Sequence, residues 1–476
     1  MVLKVINHPY AYDMKKLCTV FFPFEKIRDD GEEDITVTTA DMGGRFVAEA
    51  SAYGKTVKKE YEPKQDEDMA NAMSVLLFSA LSELTGYTPE WGILFGVRPA
   101  KLMHRYFAEL GENGAKNTFI NKYLVSPKKA ELTAEVMKNE NRIISLSKDD
   151  SFSLYISIPF CPTRCAYCSF VSHSIERTQK LVEPYVDLLC KEIERTAEVA
   201  KKLNLRLETV YFGGGTPTTL TAEQLDRLMS AVENNFDLST VREYTVEAGR
   251  PDTVTESKLL ALKKHNVSRI SINPQTFNDT VLEAIGRKHT AAQTVEAFEL
   301  ARKCGFDNIN MDIIAGLPTD TPESFGKTLD KAVSLGADSI TVHTLALKTA
   351  SNIVTGEEPF EFNISVSGMV DYSDSALKAA GYVPYYMYRQ SKSAANLENV
   401  GWCNAGRECL YNVYMMDETH SVFACGAGAV TRLRNPENGF IDRIYNFKYP
   451  YEYIDNFDEV IERKEKIFEF YNGNNE

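Results

Sequence analysis

The sequence Cys161-Pro162-Thr163-Arg164-Cys165-Ala166-Tyr167-Cys168 follows an apolar run that extends from Leu154 to Phe160. Thiolates at the spacing C-x3-C-x2-C suit three irons of a [4Fe-4S] cluster, whereas a complete protein cage needs four cysteines. One iron would therefore stay open for a substrate or cofactor. The alternatives are a zinc site or unrelated buried thiols. Zinc ribbons use two C-x2-C pairs separated by a longer loop, and no second pair lies nearby in the sequence.

Apolar strands alternate with amphipathic helices from the start of this apolar run. The six predicted strands are 154–159, 209–212, 243–247, 269–273, 308–314 and 339–345. The predicted helices are 184–203, 221–234, 255–265, 278–285, 290–304 and 321–335. Repeated strand–helix units form parallel sheets through right-handed crossovers. The sequence therefore predicts an α/β fold whose centre is a partial, TIM-like (β/α)6 barrel.

Polar residues follow these predicted strands, at the end where (β/α) barrels carry their chemistry. The first strand leads into the cysteine stretch and the second into Gly213-Gly214-Gly215-Thr216-Pro217. Later strands end at Glu247, Gln275, Asp312 and close to His343. The glycine segment allows close backbone approach to a ligand, or it is a tight strand-to-helix turn. Glu247 is a ligand contact or one half of a structural salt bridge.

The cysteine triplet and the glycine segment, one strand–helix unit apart, together resemble the radical S-adenosylmethionine (SAM) enzymes. This resemblance implies a [4Fe-4S] cluster bound by Cys161, Cys165 and Cys168. In that superfamily the open iron binds SAM and, after reduction, cleaves it to a 5′-deoxyadenosyl radical. The glycine segment would contact the amino group of SAM.

The segments 271–277, 285–289 and 310–318 are similar to the branch that contains oxygen-independent coproporphyrinogen III oxidases and heme chaperones. In this branch an arginine can bind the SAM carboxylate and polar side chains can bind its ribose. The resemblance assigns the following residues to SAM binding: Tyr155, Tyr167, Gly214, Gly215, Thr216, Glu247, Gln275, Arg287, Asp312 and Ala346. Core packing is the alternative for Tyr155, and His289 is interpreted as a local structural residue.

The segments 91–99, 385–390 and 398–401 resemble the coproporphyrinogen dehydrogenase (HemZ) subgroup of anaerobic and Gram-positive bacteria. Two features depart from the well-characterised oxidases. Phe170 stands where those enzymes carry a further cysteine, and residues 1–150 differ from their N-terminal leader. The heme chaperones also lack the further cysteine.

The resemblance implies that the protein converts two propionates of coproporphyrinogen III to vinyl groups, giving protoporphyrinogen IX in heme biosynthesis. A small electron-donor protein, flavodoxin or ferredoxin, would reduce the cluster. The alternatives are a heme chaperone that keeps the cluster and SAM, and a radical SAM enzyme that modifies heme. Candidate axial ligands to heme iron are His343, His420 and Cys425. Candidate partners of substrate propionates are Arg389, Arg407, Arg432 and Arg434.

Three domains are predicted. Residues 1–148 form an α+β domain of unknown role, with strands at 36–39, 45–50 and 55–61 and helices at 66–85 and 100–110. Within it, Arg98 and Lys101 are interpreted as solvated charges at a helix start, in preference to contacts with an anionic ligand or another domain. Residues 149–350 form the barrel, and residues 351–476 form an α+β cap that ends in one amphipathic helix at 451–470.

Composition narrows the class of protein further. The chain has 476 residues, 43% of them hydrophobic, and a net charge of −14, which argues against a general nucleic-acid surface. No 18-residue apolar span and no signal-like N-terminus occurs, so a cytoplasmic location without a membrane span is expected. Nine cysteines fit a reducing compartment. Cys18, Cys190 and Cys304 are predicted to be core residues.

Overall fold

A computed structural model describes residues 1–168, 173–346, 359–390 and 393–473. Its strands are β1 Val2–Ile6, β2 Thr36–Asp41, β3 Phe46–Ala52, β4 Lys55–Tyr61, β5 Ser151–Ile158, β6 Phe160–Cys161, β7 His173–Ser174, β8 Arg206–Gly214, β9 Glu243–Glu247, β10 Arg269–Ser271, β11 Ile309–Ala315, β12 Ser339–Thr344, β13 Val383–Arg389, β14 Glu398–Cys403, β15 Ser421–Cys425, β16 Val430–Arg434 and β17 Ile441–Tyr445. Its helices are α1 Ala11–Phe21, α2 Met69–Thr85, α3 Pro99–Tyr123, α4 Pro127–Ile144, α5 Ile175–Lys202, α6 Ala222–Asn235, α7 Glu256–Lys264, α8 Asp279–Ala284, α9 Ala291–Lys303, α10 Pro322–Ser334, α11 Pro359–Ala379, α12 Leu410–Asp417, α13 Pro450–Asp455, α14 Phe457–Glu462 and α15 Glu465–Gly473.

The first four strands form a small sheet with the order β1-β2-β3-β4. The first pair is parallel and the other two pairs are antiparallel, which confirms the predicted meander and adds β1 to it. Helices α1 and α2 pack on this sheet. The Asp68 side chain caps the start of α2, and Gly86 ends the helix in the left-handed conformation at φ 70°.

Helices α3 and α4 belong to the main core of the molecule rather than to this small sheet. The predicted helix at 100–110 is present but continues to Tyr123, because the chain resumes helical geometry after a kink at Gly111, where φ is 70°. Buried residues such as Phe119 and Val136 pack with residues of the large sheet. The proposed domain boundary at residue 148 remains a prediction, but the hydrophobic core does not divide there.

All six predicted barrel strands are present, as β5, β8, β9, β10, β11 and β12. They lie side by side in this order and every neighbouring pair is parallel. The predicted α/β fold with a partial barrel is therefore confirmed. Successive residues of β5 alternate between two cores: Leu154 and Ile156 face the outer helices, whereas Tyr155 packs on the inner face.

The same sheet continues on both sides with strands from the C-terminal region. Its full order is β13-β14-β12-β11-β10-β9-β8-β5-β15-β16-β17. Strand β15 is parallel to β5, and the other added strands are antiparallel to their neighbours. Within the described residues the two edge strands do not pair with each other, so the barrel is open.

The predicted single helix at 451–470 is wrong, because the tail forms three short helices, α13, α14 and α15, packed along α5. The break between α14 and α15 coincides with Lys464, whose side chain turns inward. Its Nζ lies 2.7 Å from the carboxylate of Glu192 and donates to the carbonyl of Ala424 at 2.7 Å. A buried cation needs such partners, and a continuous surface helix would not deliver the side chain to them.

A buried ion pair ties the N-terminal region to the large sheet. Lys129 of α4 and Glu398 of β14 are both fully buried, with Nζ and Oε1 2.6 Å apart. Trp91 donates its indole N–H to the other carboxylate oxygen at 2.6 Å. Lys129 holds the pKa of Glu398 below its usual value despite burial, which on its own would raise it. Each charge therefore depends on the other for its stability.

We expect Lys129→Met to lower the free energy of unfolding by about 3–5 kcal/mol, because it leaves the Glu398 charge buried without its partner. The matched control is Lys128→Met, since Lys128 pairs with Asp371 at 2.6 Å on the surface, where both side chains are about 40% exposed. The Lys128 variant should lower the free energy of unfolding by no more than about 1 kcal/mol. Urea unfolding followed by Trp fluorescence measures both values, and equal losses would contradict the interpretation.

Candidate active site

The cysteine loop lies at the carboxyl end of β5 and is anchored to later barrel units. The Ala166 N–H donates to the carbonyl of Ile285 at 3.1 Å, and the Thr163 hydroxyl donates to Gly286 at 3.2 Å. Arg250, just after β9, donates to the Thr163 hydroxyl at 3.0 Å. These contacts hold the loop over the strand ends.

The residues of this loop fit an iron–sulfur cluster in their chemistry. The side chains of Cys161, Cys165 and Cys168 are partly exposed, whereas those of Cys403, Cys409 and Cys425 are buried. Thiolate is the ligand class that such clusters require. Among the residues that the structure describes, no three His, Cys, Asp or Glu side chains already converge on one point.

The glycine segment packs directly against the cysteine loop. The Gly215 N–H donates to the carbonyl of Ile158 at 2.7 Å, and Thr216 approaches the Cys161 sulfur at 3.4 Å. A Cβ on Gly215 would lie 2.6 Å from the carbonyl oxygen of Phe160 and 2.9 Å from that sulfur. Gly214 has φ 112°, which an L side chain rarely adopts. Close packing of the two loops thus explains these glycines before any ligand is considered.

Three tyrosine rings stack on the inner face of the sheet beside Glu247. Tyr211 and Tyr411 have ring centroids 4.4 Å apart, and Tyr155 stacks on both at about 6 Å. The Tyr211 hydroxyl donates to Glu247 Oε1 at 2.6 Å. Tyr155 therefore packs in an aromatic cluster, as its alternative interpretation predicted, and lies next to the strand-end carboxylate. Among the described residues, the side-chain partner of Glu247 is the Tyr211 hydroxyl and not a cation.

Asp312 is the second carboxylate at these strand ends. Asn273 and Asn310 each donate a side-chain N–H to it at 2.8 Å, and His343 Nε2 lies 3.7 Å from Oδ1. The hydroxyl of Tyr388 is 3.3 Å from the other ring nitrogen of His343. Burial alone would raise the pKa of Asp312, but His343 and Asn310 hold it below its usual value.

Gln275 and Arg287 complete the polar ring. Gln275 is held at φ 65° by backbone hydrogen bonds, from its N–H to Asp312 at 2.9 Å and from Ile314 to its carbonyl at 3.0 Å. Such a conformation is uncommon for a residue with a side chain and is concentrated at functional sites. Arg287 is buried and donates to the Asn273 carbonyl at 2.7 Å.

Tyr167 and Ala346 are the two remaining predicted SAM contacts. Burial lowers the pKa of Arg287, but the neighbouring side chains of Tyr167 and Cys165 raise it overall, so both loop residues interact with Arg287. Ala346, after β12, forms an isolated bridge with Ser393. No described side-chain contact links it to the other predicted residues. The roles of all these residues in SAM binding remain predictions.

Several residues of the site were not predicted from the sequence. Asn273 and Asn310 position Asp312, and Tyr211 and Tyr411 position Glu247 and Tyr155. Strand periodicity could have indicated Asn273, Asn310 and Tyr211. Each lies two residues before a predicted site residue or, for Tyr211, before the glycine segment, and residues two apart on a strand share one face. Tyr411 lies on α12, which packs against the inner face, and nothing local in its sequence indicates that position.

Two of the three candidate heme ligands are not available to a ligand. His420 is buried with its two ring nitrogens 2.8 Å from the hydroxyls of Ser147 and Ser153. Cys425 is fully buried against the Thr196 hydroxyl at 3.2 Å, and burial raises the pKa of its thiol to about 12. His343 alone lies in the site.

Some of the other interpretations made from the sequence are confirmed by the structure and others are wrong. Arg389 is buried, donating to the carbonyls of Leu94 and Asn396 at 2.5 and 2.9 Å, so its assignment to a propionate is wrong. Arg98 forms an ion pair with Glu418 and its side chain is 26% exposed, which corrects the favoured interpretation for this residue. Lys101 lies 3.4 Å from the same carboxylate but stays 50% exposed, as the interpretation of a solvated charge predicted. Cys18 is buried as predicted, whereas Cys190 and Cys304 are only partly buried. Phe170 lies outside the described residues.

Comparison with known proteins agrees with this geometry. Residues 155–332 match the family model of the radical SAM superfamily. The oxygen-independent coproporphyrinogen-III oxidase-like protein HemZ of Bacillus subtilis is 35% identical over 96% of this chain and 96% of its own. The heme chaperone HemW of the same organism is 33% identical over 63% of this chain and 77% of its own.

A solved structure shows the same fold. The coproporphyrinogen III oxidase HemN of Escherichia coli superposes with a TM-score of 0.52 over 70% of this chain and 72% of its own, at 23% identity. The chain therefore belongs to the radical SAM superfamily. Within that superfamily it belongs to the branch that contains HemN and HemZ. Membership implies a [4Fe-4S] cluster and SAM as cofactors. In the part of the chain that the structure describes, no helix is both long and apolar enough to span a bilayer.

We expect Gly215→Ala to lower the free energy of unfolding by about 1–3 kcal/mol, because its Cβ would overlap the backbone of the cysteine loop. Displacement of Cys161 should also reduce the iron bound per chain after anaerobic reconstitution. Gly368→Ala in α11 is the matched control, because a Cβ there meets no atom within 4 Å. Normal iron content in the Gly215 variant would argue against the packing explanation.

Stability should fall with rising pH because of Glu247. Burial raises the pKa of its carboxyl from 4.5 to about 7, although the hydrogen bond from Tyr211 acts to lower it. The folded chain therefore keeps a proton that the unfolded chain releases, so stability is lost between these two pKa values, by at most about 3 kcal/mol. Glu247→Gln should flatten this part of the profile. Parallel pH profiles of urea unfolding for the two proteins would refute the expectation.

Proposed function

We propose that this protein is a radical SAM oxidoreductase that converts two propionates of coproporphyrinogen III to vinyl groups, giving protoporphyrinogen IX. The observation that carries the proposal is similarity over nearly the whole chain to an oxygen-independent coproporphyrinogen-III oxidase-like protein. The arrangement of thiols, carboxylates and Arg287 at one end of the sheet supports it.

The chain's own residues would bind and orient the reactants. Cys161, Cys165 and Cys168 would hold the cluster, and the backbone around Gly214 and Gly215 would lie against the SAM amino group. When bound, the reduced cluster and SAM supply a 5′-deoxyadenosyl radical that removes one hydrogen atom from a propionate β-carbon. The propionate would then lose CO2 and one electron, the latter to an external one-electron acceptor such as a carrier protein. A flavodoxin or ferredoxin would provide the electron that reduces the cluster.

Two carboxylates would serve different purposes in this site. Asp312 is held in its charged form by His343 and the two asparagines, so it can accept hydrogen bonds from ribose hydroxyls. Glu247, whose pKa burial raises to about 7, would release its proton on meeting the cationic amino group of SAM. Gln275 would join Asp312 on the ribose, and Arg287 would bind the SAM carboxylate.

The second candidate function is that of a heme chaperone. It is favoured by the similarity to HemW and by the lack of a further cysteine at Phe170. A chaperone of this kind must hold heme, whose iron needs an axial ligand. Of the three candidate axial ligands, His420 and Cys425 are buried, so a ligand in the site could reach His343 alone. This favours a metal-free porphyrinogen over heme as the ligand.

The deciding experiment incubates anaerobically reconstituted protein with coproporphyrinogen III, SAM and a low-potential reductant. We expect stepwise loss of two carboxyl groups, detected by mass spectrometry of the oxidised porphyrins, together with formation of 5′-deoxyadenosine. An unchanged porphyrin alongside tight heme binding would support the chaperone, and a changed heme would support a heme-modifying enzyme.

Two variants test the assignment of the cofactor sites in the same assay. Cys165→Ala should abolish the brown iron–sulfur absorbance and with it all 5′-deoxyadenosine. Asp312→Ala should leave that absorbance intact but weaken SAM binding by roughly tenfold or more, the effect of losing charge-assisted hydrogen bonds. A complete four-iron cluster in the first variant, or unchanged SAM affinity in the second, would contradict these assignments.

A further inference from the structure

Arginine side chains of the last two strands continue the inner face of the sheet. Arg432 of β16 pairs with Val422 of β15, which in turn pairs with Ser153 of β5. Ser153 and Tyr155 are two residues apart on the same strand, so their side chains share one face. Arg432 therefore lies on the face that carries the tyrosine stack, and it is within electrostatic reach of Tyr411.

Other cations gather at the same place. Arg443 of β17 lies directly opposite Arg432, an arrangement of like charges that destabilises a sheet when nothing compensates it. Arg98 approaches from the start of α3. Together with Lys101 these residues form the cation cluster, defined as Arg98, Lys101, Arg432 and Arg443.

Among the described residues, one carboxylate, that of Glu418, contacts the cation cluster. Glu418 forms an ion pair with Arg98, and its oxygens lie 3.4 Å from Lys101 Nζ and 3.6 Å from Arg443. Lys101 also donates to the backbone carbonyl of Asp417 at 2.9 Å. The Asp417 carboxylate accepts from Thr419 at 3.2 Å. The cluster therefore carries a local excess of positive charge in a protein whose net charge is −14.

Arg432 is the member of the cluster that lacks a partner. Its side chain makes no hydrogen bond or ion pair with any described residue, and its Nε is buried. Burial lowers the pKa of its guanidinium, and the nearby cations Arg98 and Arg443 lower it further, with Tyr411 and Glu418 acting in the opposite direction. A partly buried guanidinium without a hydrogen-bond acceptor is costly unless a ligand supplies one.

We propose that Arg432, supported by Arg98 and Arg443, binds a propionate carboxylate of the tetrapyrrole substrate. This inference rests on the proposed function, because it names a substrate contact of the same site. The guanidinium group suits a carboxylate, since its planar N–H groups can form two parallel hydrogen bonds. The aromatic rings of Tyr411, Tyr211 and Tyr155 extend from the cluster towards Glu247, so a ligand held by its carboxylate would lie along this face.

The test measures binding of coproporphyrin III, the stable oxidised form of the substrate with four carboxylates, to reconstituted protein by fluorescence quenching. Arg432→Gln should weaken binding by roughly tenfold to a hundredfold, the range for a lost charge-assisted hydrogen bond. The tetramethyl ester of coproporphyrin III should bind both proteins equally, because it offers no carboxylate. Arg432→Lys should bind coproporphyrin III with an affinity between those of the wild type and Arg432→Gln, since lysine keeps the charge but lacks the planar pair of N–H donors.

Arg227→Gln is the matched control, because Arg227 pairs with Glu183 and Asp187 on the surface of the outer helices, where its side chain is 41% exposed. Iron content and SAM cleavage without porphyrin should be normal in every variant. Unchanged binding by Arg432→Gln, or equal losses for the acid and the ester, would overturn the proposed site. Tight, Arg432-dependent binding without decarboxylation would instead reject the proposed reaction and keep the site, whereas a wild-type protein that binds no coproporphyrin would reject both.

Discussion

Parallel pairing of six neighbouring strands is the constraint on which the rest of the molecule depends. Because β5, β8, β9, β10, β11 and β12 run in one direction, the residues that follow them reach one end of the sheet. The alternation of side chains then separates two environments, with aliphatic residues under the helices and polar or aromatic residues on the inner face. A shift of one residue in the register of any strand would move its aliphatic side chains to the inner face and its polar or aromatic side chains under the helices.

The sequence was sufficient for those parts of the structure that depend on neighbours along the chain. Strand positions, most helices and the residues at the strand ends follow from periodicity and from turn residues. It was insufficient where contacts join distant residues. Lys129 and Glu398 are 269 positions apart, and no local pattern marks them as partners. The same holds for α12 on the inner face and for Lys464, whose side chain turns inward at the break between α14 and α15.

The inner face combines a large aromatic surface with few ionisable groups that can change charge near neutral pH. Burial raises the pKa of Tyr155 and Tyr211, so these rings stay neutral. Glu247 and Asp312 are neighbours with pKa values displaced in opposite directions, the first by burial and the second by its hydrogen bonds against burial. Carboxylates in such different environments can perform different tasks within one site. The sequence indicated both residues but not this difference, which depends on the burial of Glu247 and on the contacts of Asp312 with His343 and Asn310.

The pairing of Lys129 with Glu398 has a consequence for how chains of this kind can be recombined. Asn399, next to Glu398, accepts from the Thr344 N–H at 2.9 Å and donates to the carbonyl of Tyr388 at 3.3 Å. The ion pair therefore supports the end of the strand that carries His343. A chimera that takes α4 from a protein without a cation at position 129 would leave the Glu398 charge unmatched in the core. The helix and the strand therefore have to be exchanged together in such a design, although more than half of the chain lies between them.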